Sequence, residues 1–76
     1  MSWNYRVLAH KNGESFYFKI HEVYYDKNSL PNAMTERAIS VGGETLHDVL
    51  WVLSEMKKAL EKPVLSFDDF PNEFKG

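Results

Sequence analysis

An Asn12-Gly13 pair set between two runs rich in Tyr, Phe, Val and Ile constrains this chain more than any other feature. Asn-Gly is the strongest short-range hairpin signal, because primed two-residue turns need positive φ and glycine adopts it without steric cost. With Asn12 and Gly13 as the loop of a type I′ turn, Lys11 faces Glu14, Ala9 faces Phe16, Val7 faces Phe18, Tyr5 faces Ile20 and Trp3 faces Glu22. One face of the hairpin is then almost wholly apolar. The other pairs His10 with Ser15, Leu8 with Tyr17, Arg6 with Lys19 and Asn4 with His21, and is mostly polar.

Turn formers crowd the next stretch, Asp26 to Asn32, and Pro31 cannot donate to a ladder, so the chain is expected to reverse there. A third strand is expected around 33–39. Its mixed composition, with Glu36 and Arg37, suits an edge whose charges discourage further pairing. Gly42 and Gly43 then punctuate the chain, Thr45 can cap a helix, and Asp48 three residues on is a capping-box variant. The spacing predicts a single helix over 46–62. Leu46, Val49, Leu50, Leu53, Met56 and Leu60 form its apolar stripe, expected to cover the hairpin, and Pro63 stops it. Val64 to Phe67 has the makings of a short fourth strand. The fold class is therefore α+β, a three-stranded antiparallel sheet (hairpin plus edge strand) packed by one C-terminal helix. The expected organisation is a single domain over 1–67 and an acidic, aromatic tail over 68–76.

A chain of 76 residues has room for one core. So short a domain buries only about 60% of the surface its unfolded form exposes, so its eleven aromatic residues must supply much of the burial. The absence of cysteine rules out a disulfide framework and a thiolate metal site, and fits a reducing compartment. Residues 1–6 lack the basic start and apolar run of a signal peptide, and no stretch has membrane-spanning length. A cytoplasmic protein without a membrane partner is expected. A net charge of −2, scattered along the chain, provides no global field to attract nucleic acid.

The residues that could carry chemistry do not converge. His10, His21 and His47 make no short-spaced pair and have no carboxylate cluster beside them, and the serines sit in no nucleophile motif. No enzyme, metal or cofactor is expected. Two features call for partners. Arg6 opposite Lys19 places like charges together, to be neutralised by Glu36 or another carboxylate of the domain or by an external anion. In the second case Arg6, Tyr17, Lys19 and His21 form a face for an anion or single-stranded nucleic acid. Trp51 falls about 140° from Leu46 on the helical wheel, off the apolar stripe. Either Phe67 or Phe70 of the tail folds back over it, or Trp51 with Phe70 and Phe74 forms a partner interface.

The run Ile20-His21-Glu22-Val23-Tyr24-Tyr25-Asp26, with Gly43-Glu44-Thr45-Leu46 and Glu61-Lys62-Pro63-Val64-Leu65, resembles a family of small bacterial proteins without an established activity. The resemblance covers most of the chain and implies a compact bacterial cytoplasmic domain. Three strands followed by a helix opened by Gly43-Glu44-Thr45-Leu46 are also similar to HicB-type antitoxin domains, which implies protein binding. The chain departs from that pattern where it reads Tyr24-Tyr25-Asp26-Lys27-Asn28 in place of a Pro-Gly-Cys loop. The reading that follows is a non-enzymatic module that binds a protein partner or itself. The alternative is a weak single-strand or anion binder.

Overall fold

A computed structural model describes residues 2–71 of the chain. Strands β1 (Ser2–Asn12) and β2 (Ser15–Tyr25) form the hairpin, β3 (Pro31–Met34) adds to the far side of β2, and helix α1 (Leu46–Ala59) packs on β1. A 3-10 turn over Phe67–Asp69 follows. This is the α+β fold expected from the sequence, an antiparallel sheet in the order β1-β2-β3 with one α-helix among the described residues.

The hairpin register differs from the expected one by two residues. Asn12 pairs with Ser15, so Gly13 and Glu14 form the loop, and Val7 faces Ile20, Tyr5 faces Glu22, and Ala9 faces Phe18. Gly13, at φ 65°, is the only loop residue with positive φ. Glycine at the first central position is the requirement of a type II′ turn, which leaves Asn12 free to extend the strand. Because side chains alternate with a period of two, a slip of two residues keeps each on its face while changing every partner. Arg6 therefore opposes His21 and Lys19 opposes Leu8, so the like-charge pair inferred from the type I′ register does not form.

The reversal at 26–30 is held by the Asp26 carboxylate, which accepts from the backbone N–H of Asn28 at 2.8 Å and of Leu30 at 3.0 Å. The third strand starts earlier than 33. Pro31 is its first residue, where a missing N–H disturbs the ladder least. Beyond it the Thr35 N–H donates to Glu22 O and the Ile39 N–H to Ile20 O, keeping the chain against β2. Thr45 caps α1 as expected, its Oγ1 accepting from the Asp48 N–H at 3.1 Å. The α-helix ends at Ala59, and tighter bonds from the N–H groups of Leu60, Glu61 and Lys62 to the carbonyls of Lys57, Lys58 and Ala59 carry the coil to Pro63.

Two small cores result, one on each sheet face. Under α1, Tyr5, Val7 and Ala59 pack with Ile20, Ile39 and Met56. On the opposite face, expected to be mostly polar, Leu8, Val23 and Phe70 pack with Tyr25, Met34 and Leu65. The segment after the helix closes that face. The Leu65 N–H donates to Val7 O and the Ala9 N–H to Leu65 O, both at 2.9 Å, forming one parallel bridge between Leu8 and Leu65 where a fourth strand was allowed. Phe70 is buried there, because the sheet's second face needs an apolar cover and the 3-10 turn aims the chain across it.

Candidate interaction surface

Helix α1 meets the sheet through a face different from its most apolar one. Ala59 is fully buried, Met56 packs on the Tyr5 and Val7 cluster, and Val52 and Glu55 are partly covered. A small residue at position 59 lets the helix approach β1 closely. Trp51 joins this side, its ring set edge-on to Tyr5 with centroids 6.3 Å apart, and Tyr5 in turn meets Trp3 at 5.5 Å. Trp51 thus lies at the margin of the helix-sheet contact, half-exposed, and neither Phe67 nor Phe70 covers it. Phe67 packs edge-on to His10, and Phe70 lies in the core of the other sheet face.

The consequence is on the outside. Leu46 is 88% exposed, Leu50 60%, Leu53 48% and Leu60 69%. With Lys57 they follow a 4-3-4-3 spacing and fall within an arc of about 80°, which is the seam of a two-helix contact. In heptad terms Leu46, Leu53 and Leu60 take d positions, and Leu50 and Lys57 take a positions. The periodic stripe was readable from sequence, but its direction was not. Trp51, set against Tyr5, belongs with the inward side and marks it.

The face inferred for anions does not assemble as a surface. Arg6 donates from Nη1 to the Tyr25 hydroxyl at 2.9 Å and from Nη2 to the Pro63 carbonyl at 2.7 Å, while Tyr25 donates to Asn4 Oδ1 at 2.7 Å. The guanidinium is a strut between the hairpin and the segment after the helix. His21 is buried at 1% exposure. Only Tyr17 and Lys19 of the four remain exposed, with the ammonium 5.6 Å from the ring centre. Of the residues inferred as a partner interface, Trp51 is half-exposed, Phe70 is buried, and Phe74 lies outside the described residues.

His10 and His21, eleven residues apart in the chain, are brought together by the hairpin register. Their Nε2 atoms are 3.0 Å apart, and His21 Nδ1 is 2.9 Å from the Thr35 carbonyl oxygen. A carbonyl only accepts, so His21 Nδ1 carries a proton; neutral His21 then accepts at Nε2, and His10 Nε2–H donates to it. His10 also stacks on Tyr17 at 5.0 Å. Burial, with lesser contributions from His21 and Lys19, pushes the His10 pKa below its ordinary 6.5. Among the described residues no three metal-ligating side chains gather, and no helix is long and apolar enough to cross a membrane.

Comparison with known proteins finds no match: no family model fits the chain, and no curated protein or solved structure is significantly similar to it.

Proposed function

We propose that this protein is an interaction module whose contact surface is the outward leucine seam of α1. The observation that carries this reading is the exposure of Leu46, Leu50, Leu53 and Leu60 along one helix face. A contiguous apolar patch on a small domain marks a contact site more often than an accident of composition. Each leucine contributes about 1.5–3 kcal/mol on full burial, so a helical partner laid along the seam gains enough to offset the cost of association. The partner class that fits is an amphipathic helix, read at the spacing of a and d positions.

The test is crosslinking in the native cell with the wild type and with a Leu50→Gln/Leu53→Gln variant. Both positions are exposed, so the variant should retain the wild-type fold, which circular dichroism checks. Loss of crosslinked species from the variant supports the reading; an unchanged pattern sinks it. A single-strand or anion site would have to rest on Tyr17 and Lys19 alone, and no other observation favours it.

A further inference from the structure

We infer that the seam is occupied by the same seam of a second copy, with the two α1 helices antiparallel. This rests on the reading of the leucine face as a contact surface and goes further by fixing the occupant and its direction. The deciding residue is Lys57. It sits at an a position in the middle of the exposed face, between Leu53 and Leu60. A parallel, in-register pair would bring Lys57 against Lys57 of the other copy, which a single buried a-position charge disfavours. Reversing one helix pairs a positions with d positions, so Leu50 lies opposite Leu53 and Lys57 lies opposite Leu46.

At the same register the Lys57 ammonium comes beside Glu44, just ahead of the capping Thr45 of the second copy. Both are exposed, and neither has an ion-pair partner among the described residues. The two-fold makes that pair twice. Leu60 of each copy then lies over Gly42 and Gly43 of the other, and Gly42 has no atom within 4 Å of where a Cβ would stand, leaving room for the leucine. Val41, itself exposed, extends the apolar contact beyond the helix. Reversed helices also oppose their macrodipoles favourably. Three features therefore select one arrangement: the leucine spacing, the displaced lysine, and the open position at Gly42 before the helix.

Sedimentation of the full chain over the micromolar range, together with a charge swap, tests this. The wild type should sediment as a concentration-dependent dimer, and Leu50→Gln/Leu53→Gln as a monomer. Lys57→Glu should weaken the dimer several-fold, Glu44→Lys likewise, and the two together should restore it, because only antiparallel helices place 57 beside 44. A cysteine-free chain allows a second readout: Leu60→Cys mixed with Gly42→Cys should form a disulfide-linked dimer, while each alone should not. A wild type that stays monomeric overturns the second copy without touching the wider reading, which the cell crosslinking decides separately. A dimer that survives Leu50→Gln/Leu53→Gln overturns the second copy on the seam, and the cell crosslinking again decides the wider reading. Self-crosslinking of Leu60→Cys, or no rescue by the double charge swap, overturns the antiparallel direction.

Discussion

The two faces of the hairpin are covered by different kinds of structure. On one, a capped helix lays Ala59 and Met56 over Tyr5 and Val7, and the core of the contact is hydrocarbon and aromatic. On the other, an irregular segment closes over Leu8 and Val23 with Phe70, anchored by backbone bonds at Leu65 and by the Arg6 fork on Pro63, beside a buried histidine. A helix satisfies its own backbone and can rest on side-chain packing alone. An irregular cover cannot, and it borrows its hydrogen bonds from β1 and from side chains. The difference separates the roles as well: the helical cover has an outer face left over for contact, and the irregular one is consumed in closing the core.

If the irregular cover is as much a part of the core as the helix, the largest loss comes from Phe70→Ala. A buried phenylalanine truncated to alanine should cost about 3–5 kcal/mol in chemical unfolding, whereas a loose appendage would give less than about 0.5 kcal/mol. Arg6→Met tests the strut between the two regions. It leaves the Pro63 carbonyl and Tyr25 hydroxyl without their donor, and a loss of about 1–3 kcal/mol is expected, with amide exchange near Pro63 and Leu65 speeding up more than in α1. On the helix side, Thr45→Ala removes the cap on the Asp48 N–H and should cost about 1 kcal/mol, read out as fraying of the first helical turn.

The faces should also differ in their response to acid. His10 faces His21 and Tyr17 within the sheet, Lys19 on β2, Thr35 through His21, and Phe67 and Asp68 on the irregular cover. Its pKa is lowered in the folded state, so the unfolded chain binds the proton more readily. Stability is then complete above 6.5 and falls as the pH drops from there towards the lowered value. A thermal midpoint that declines on acidification, with the decline reduced in His10→Phe, is the expected result; equal declines in both would remove His10 from the account. The smallest effect belongs to the outer seam. Leu53→Gln should change the stability of the monomer by less than about 0.5 kcal/mol while removing self-association.

Strand pairing, helix cap and fold class were legible because each is set locally, by Gly13, by Thr45 with Asp48, and by alternation along the strands. What local pattern left undecided was which of two adjacent turn assignments the hairpin takes, since Asn12-Gly13 and Gly13-Glu14 both place a glycine where positive φ is allowed. That choice separates Arg6 from Lys19 and joins His10 to His21, so the anion face allowed by the sequence gave way to a strut and a part-buried histidine pair. The helix misled for another reason. A stripe of leucines reads as the inward face unless something else packs inward, and here Ala59 and Met56 pack on Tyr5 and Val7 while Trp51 sets its ring edge-on to Tyr5. Phe70 reads in the sequence as a cover for Trp51 or a partner contact, because a sequence does not reveal that a second sheet face lacks a cover.

The bridge between Leu8 and Leu65 and the bond from Arg6 to Pro63 also bear on time. The hairpin closes over a two-residue loop, but the Arg6 contact joins residues 57 apart, and so does the bridge. Closing a loop of that length must wait on a larger loss of chain entropy than folding a hairpin. The half of the sheet beneath the irregular cover is therefore expected to be sealed last, and during that interval Leu8 and Val23 lie open on a finished hairpin.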